Sequence, residues 1–97
     1  MVKVIVERHL RPGTEEEFVT LLTELWVRVV PIRGYITGET LKSVEQPEVW
    51  LTISSWSDLS VWRSWKDRRE RQEILKEIEP LLLTSARESV FRYPFKE

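Results

Sequence analysis

Apolar and polar residues alternate from the second position of the chain: Val2, Val4 and Val6 are interleaved with Lys3, Ile5 and Glu7. A period of two, rich in β-branched residues, predicts a strand. Pro12 and Gly13 end it. Thr14-Glu15-Glu16-Glu17 then has the form of a capping box, in which the Thr hydroxyl and the Glu carboxylate each satisfy a free backbone N–H. From there the period changes. Phe18, Leu21, Leu22, Leu25, Trp26 and Val29 make one apolar stripe at helical spacing, closed by Pro31 and Gly34.

Gly34 to Ser43 returns to a strand, with Tyr35, Thr37, Glu39 and Leu41 on one face and Ile36, Gly38, Thr40 and Lys42 on the other. Gln46-Pro47 turns the chain into a second strand from Glu48 to Trp56. That strand carries Val49, Leu51 and Ile53 on one side and Trp50 and Trp56 on the other. A strand apolar on both faces is covered on both faces. Ser57 or Asp58 caps a short helix holding Val61, Trp62 and Trp65. A charged run, Lys66 to Glu70, leads into Ile74, Leu75, Ile78, Leu81 and Leu82, again helically spaced, and Arg87 to Phe95 reads as a closing strand.

The order β-α-β-β-α-β defines an α+β chain of the ferredoxin-like split βαβ type, with an antiparallel sheet and helices on one face. The other face, carrying Ile5 and, depending on phase, Trp50 or Leu51, is left wet in a monomer. Two sheets packed face to face bury it, so a homodimer is expected.

Composition narrows the function classes. The 97 residues form one domain, residues 1–97, of ordinary apolar content at 41%. Fifteen Lys and Arg against sixteen Asp and Glu leave a net charge of −1, which argues against a nucleic-acid partner. Cysteine is absent, which excludes disulfides, thiolate metal sites and cysteine nucleophiles and suits a reducing cytoplasm. The N-terminal alternation is expected to be neither signal peptide nor anchor, and no apolar run is long enough to span a bilayer. With one histidine and no spaced carboxylate cluster, no metal site is expected. A phosphate-binding glycine loop and a Gly-x-Ser-x-Gly elbow are also missing.

Pro12-Gly13 with Glu15 to Phe18, Gly34-Tyr35, Glu39-Thr40-Leu41, Ile53-Ser54-Ser55-Trp56 and Trp62-Arg63-Ser64-Trp65 together resemble the antibiotic biosynthesis monooxygenase family over nearly the whole chain. The resemblance implies a dimeric α+β barrel. That family includes cofactor-free oxygenases of aromatic polyketides and quinols, haem-degrading enzymes, isomerases and members with no known activity. Its haem-degrading members surround the porphyrin with an Asn on the first strand, a Trp after the third strand and an axial His. Here Trp65 matches the Trp, but Val6 stands at the Asn position and the His position falls near Leu75. Haem degradation is therefore not expected, and no cofactor is implied.

The candidate residues each carry two readings. His9 is the default general base, because only an imidazole titrates near neutrality unperturbed; the alternative is a solvated residue at a strand end. Trp65, with Val6, walls a pocket for an aromatic ligand or else packs the helix on the sheet. Trp62 and Trp26 fall on helical stripes and are expected in the core, with pocket lining as their second role. Glu39 is an acid–base candidate or an interfacial ion-pair partner. Lys66 to Arg71 mixes both signs, as a solvated helix face does. The expected function is a cofactor-independent, monooxygenase-like protein acting on or binding a small aromatic or quinone-like molecule. The alternative is a non-catalytic ligand-binding or structural homodimer; an isomerase on the same barrel needs an acid–base pair that the sequence does not show.

Overall fold

The computed structural model describes residues 1–95. Strand β1 (Val2–His9) leads to helix α1 (Glu15–Val29), then β2 (Tyr35–Lys42) and β3 (Val49–Trp56). Helices α2 (Leu59–Lys66) and α3 (Arg69–Ile78), a 3-10 turn (Glu79–Leu81) and β4 (Arg87–Arg92) complete the chain. The sheet has the order β2-β3-β1-β4 with every pair antiparallel. This is the expected ferredoxin-like α+β arrangement. Among the described residues, no helix is long and apolar enough to cross a membrane.

The alternation in β1 translates directly into burial: Val2, Val4, Val6 and Arg8 are buried beneath the helices, and Lys3, Ile5, Glu7 and His9 face the other way. Above β1 and β3 the core divides in two. One cluster gathers Val2, Val4, Val6, Val29, Trp56, Trp62 and Trp65; the other gathers Leu10, Phe18, Leu21, Ile74, Ile78, Leu81 and Leu82. The side of the sheet away from the helices carries Ile5, Leu41, Leu51, Ile53 and Phe91, with Leu41 and Phe91 about half exposed.

Several local expectations are corrected. Thr14 precedes α1, but its hydroxyl makes no helix cap; it donates to the carbonyl of Arg11 at 2.7 Å instead, so the capping box is not formed. Asp58 does cap α2, accepting from the Val61 N–H at 3.1 Å. The second helical segment is broken: Arg68 adopts extended backbone (φ −62°, ψ 138°), and α3 restarts after it. The Lys66 carbonyl freed by that break accepts from the Arg71 guanidinium at 3.1 Å and the Gln72 amide at 2.7 Å. In β2 a register shift between Tyr35 and Thr37 breaks the period of two. Tyr35 thereby shares the helix-facing side with Gly38, Thr40 and Lys42, not the opposite side with Thr37 and Leu41. The last strand stops at Arg92, short of the expected Phe95.

Gly34 joins α1 to β2 at φ +100°, and a Cβ there would lie 2.8 Å from Ser57 Oγ and 2.9 Å from Val61 Cγ2. Gly13 also has a positive φ of +78°, but open space surrounds it. Gly34→Ala is therefore expected to lower unfolding free energy by about 2–4 kcal/mol, backbone strain and collision together. Gly13→Ala bears strain alone, about 1–2 kcal/mol. Urea denaturation of the two variants checks the order; equal losses would show that Ser57 and Val61 yield freely.

Candidate functional site

A cavity of about 490 Å³ lies between α1 and the sheet. Its floor is the helix-facing side of β3 and β2: Trp50, Thr52, Ser54 and Trp56, with Tyr35, Gly38 and Thr40 beside them. Its roof is one side of α1, where Leu22, Leu25, Trp26 and Val29 look down. Val6 and Arg8 of β1, Trp62 and Trp65 of α2 and Arg71 of α3 close the inner end.

Each wall has a local cause. Trp62 and Trp65 occupy the buried stripe of the short α2. Trp56 meets Tyr35 edge-on at 5.2 Å and Trp62 at 5.5 Å, while its indole N–H donates to Ser54 Oγ at 2.9 Å. Gly38 leaves the room that the Tyr35 phenol fills, since a Cβ there would stand 2.5 Å from the hydroxyl oxygen. Burial pushes the Tyr35 phenol above its ordinary pKa of 10.0, so the group stays protonated at neutral pH. At the β2 end, Lys42 lies over the Trp50 ring at 5.6 Å and pairs with Glu15 of α1 at 2.9 Å.

The structure brings Val6, Trp26, Trp62 and Trp65 to one cavity. Trp26 is not core, as its stripe position had implied. It is 56% exposed, because the buried stripe of α1 runs through Phe18, Leu21 and Val29 while Trp26 sits over the cavity mouth with Val19 and Leu22. His9 lies on the other side of β1 and takes no part in the lining; its Nε2 bonds Glu7 Oε2 at 2.8 Å, on the partly exposed face. Glu39 reaches the rim, paired in register with Ile53 of the open face.

Two buried arginines were not singled out from the sequence. Arg71 belongs to the charged run expected to be solvated, yet it is only 5% exposed. The helix break turns it inward, where it lies over the Trp62 ring at 5.1 Å and donates to Glu88 at 3.3 Å. Glu88 also pairs with Lys66 at 3.0 Å. Arg8 is 4% exposed, lies 5.8 Å from the Phe18 ring centre, and keeps its Nε–H buried without a hydrogen-bond partner. Alternation had a signal for Arg8, since it continues the Val2, Val4, Val6 side. Burial first, and repulsion from Arg71 second, lower the Arg8 pKa to about 10, with Glu88 opposing. Arg71 is lowered too, chiefly by burial. Among the described residues no group of three or more His, Cys, Asp or Glu could hold a metal ion.

The family model described as antibiotic biosynthesis monooxygenase matches residues 1–77. The chain belongs to the antibiotic biosynthesis monooxygenase family. It is 29% identical over 98 residues to Protein SchA of Streptomyces halstedii, covering 99% of this chain and 26% of that protein. It is 26% identical over 80 residues to the 42.8 kDa protein in the whiE locus of Streptomyces coelicolor, covering 82% of this chain and 19% of that protein. The chain thus spans about a quarter to a fifth of the curated relatives it matches. Its fold is shared with a conserved protein from Methanosarcina mazei Go1 (TM-score 0.89, 19% identity, 94% and 90% of the two chains covered). It is also shared with SnoaB, a cofactor-independent oxygenase from Streptomyces nogalater (TM-score 0.86, 13% identity, 98% and 94% covered).

The buried charges generate opposite predictions. The folded state holds the Arg8 proton more weakly than the unfolded chain does, so charged Arg8 costs stability at neutral pH. That cost fades as pH rises through about 10. Arg8→Met is expected to stabilise the protein by about 1–4 kcal/mol at neutral pH, as replacement of buried ions by apolar groups does. Glu88→Gln strips both Arg71 and Lys66 of their carboxylate and is expected to cost about 2–4 kcal/mol. Thermal unfolding checks both signs; a destabilised Arg8→Met would show that the guanidinium holds the fold together.

Proposed function

We propose that this chain binds a small aromatic, quinone-like molecule in the cavity and oxidises it without a cofactor, as a homodimer. The observation that carries the proposal is the cavity itself: its volume of about 490 Å³ falls within the range of small-molecule sites, and indoles and hydroxyls line it. Membership of the monooxygenase family and a fold shared with a cofactor-independent oxygenase support the chemistry.

In such a reaction a hydroxyaromatic substrate, once deprotonated, passes an electron to dioxygen. The radical pair joins through a carbon–oxygen bond, and the resulting hydroperoxide loses water. One oxygen atom stays on the ring as a carbonyl, the other leaves as water, and the substrate supplies the electrons. The protein's share is to hold the ring, exclude water and stabilise the anion. Trp65 and Trp62 present indole surface at the inner end, Val6 keeps the back wall apolar, and Trp26 overhangs the mouth. His9 faces away from the cavity, so the substrate's own acidity carries the deprotonation in this scheme. The same observation supports a second reading: with neither imidazole nor inward carboxylate in the lining, a binder without turnover is the competing function.

The homodimer is proposed through the open sheet face, where Ile5, Leu41, Leu51, Ile53 and Phe91 gather. Packing two such sheets removes this surface from water. The lack of cysteine fits work in the cytoplasm.

Titration with dihydroxynaphthalene is expected to quench tryptophan fluorescence saturably and to raise oxygen uptake above autoxidation. Trp65→Ala should weaken binding about tenfold or more, the loss of one buried aromatic contact. Quenching without added uptake leaves the binder, and no quenching sinks both readings. Light scattering is expected to give a dimer at micromolar concentration and a monomer for Leu51→Glu; a monomeric parent protein would remove the proposed interface.

A further inference from the structure

The helix layer stops short of the β4 edge of the sheet. Val90 stands in register with Val4 on the helix-facing side, yet it is 43% exposed where Val4 is fully buried. A groove of about 400 Å³ lies between this strand and α2. It is distinct from the cavity under α1: of the two linings, only Trp62 is common. Leu59, Trp62, Arg63 and Lys66 reach the groove from α2, at the i, i+3, i+4, i+7 spacing of one helix face. Val90 and Arg92, alternate residues of β4, reach it from the strand.

Three of the lining side chains are cations and none is an acid. Lys66 has a partner in Glu88, which also serves Arg71. Arg63 and Arg92 take part in no ion pair among the described residues. The whole chain carries a net charge of −1, so this excess is local. The negative end of the α2 dipole accounts for Arg63 and Lys66, both in the last turn. It does not account for Arg92, which comes from the strand on the facing wall. Arginine stems commonly cover apolar surface, but here Val90 keeps its exposure beside them.

We propose that this groove is a second ligand site, for a short aliphatic carboxylate: the chain lies along Val90 and Leu59, and the carboxylate meets Arg63 and Arg92. A guanidinium fork matches the two oxygens of a carboxylate, and charge-assisted bonds of this kind are about twice as strong as neutral ones. The aliphatic class follows from the walls, since Trp62 is only 3% exposed and lends the groove little ring surface. Val90 and Arg92 face away from the sheet side proposed for the homodimer, so a dimer formed there leaves them accessible. The site does not depend on what the cavity under α1 binds.

The probes are octanoate and 1-octanol, alike in chain and different in charge. Amide chemical-shift titration of the full chain should place the largest octanoate shifts in α2 and at residues 90–92, with a dissociation constant of about 1 mM or below. Octanol should bind at least about fivefold more weakly. In the double variant Arg63→Gln, Arg92→Gln, octanoate should weaken to within about twofold of octanol, while octanol binding stays within about twofold of its parent value. Both positions are exposed, so the variant is expected to keep the fold. Trp26→Ala, in the cavity lining and outside the groove, should leave octanoate binding within about twofold. Equal affinity for the two probes, or a preference that survives in the double variant, overturns the site. So does the absence of octanoate shifts, or their confinement to cavity residues such as Thr52 and Ser54. Groove amides that shift with protein concentration alone and ignore octanoate assign the groove to a second copy of the chain, which also overturns it.

Discussion

The spacing between α1 and the sheet is set by two indoles on one side of β3. Trp50 meets Phe18 near the start of the helix, edge-on at 5.4 Å, and Trp56 clusters with Val29 at its end. Between them β3 offers only Thr52 and Ser54, and β2 only Gly38 and Thr40. Large side chains at both ends and short ones in the middle hold the helix off the sheet, because a packed layer cannot sag into a gap narrower than its own side chains. The two core clusters are the supports and the cavity is the span. The opening is therefore a consequence of where volume sits along one strand, and it needs no moving lid.

That arrangement was largely visible in the sequence as periodicity. Alternation in β1, the stripe in α1, the doubly apolar β3 and the cap at Asp58 all follow from residue spacing, and spacing is a local property. What escaped depends on geometry that spacing does not encode. A bulge at Ile36 moves Tyr35 to the helix side, and the residues around it are ordinary strand formers. Arg71 reads as solvated until the chain breaks at Arg68, after which the same charged run points one member inward. Trp26 fits the apolar stripe in number, but α1 buries only Phe18, Leu21 and Val29, a narrower arc than its sequence offers, and Trp26 is left over the cavity. Arg8 was legible by parity alone, and its charge outweighed its position.

The same strand also explains why one small domain presents two distinct apolar surfaces. On β3, Trp50 and Trp56 serve the helix layer while Leu51 and Ile53 serve the open face. Substitutions on the open face change what the sheet packs against without touching the cavity floor, since successive side chains point to opposite sides. A 97-residue chain buries a smaller share of its surface than a larger domain does, so covering the open face is an economical source of further burial.

Charge placement connects this economy to chemistry. A small domain has a net stability of about 5–15 kcal/mol, and a buried unmatched guanidinium consumes a substantial part of it. The protein tempers that cost through the Phe18 ring face and the field of Glu88, yet leaves the Arg8 Nε–H without a partner. An apolar residue at position 8 would pack with Val6 and Phe18 and remove the penalty altogether. A strained or unpaired group inside an otherwise well-matched core is characteristic of a site whose partner arrives from solution. Among the described residues, the Trp50 indole N–H is buried without a partner in the same way, on the residue directly across the strand pair. Both lie in register across β1 and β3, beside a cavity whose walls mix indoles with Val6, Leu22, Leu25, Thr52 and Ser54, so the unmet donors and the ligand-sized space are built from the same pair of strands.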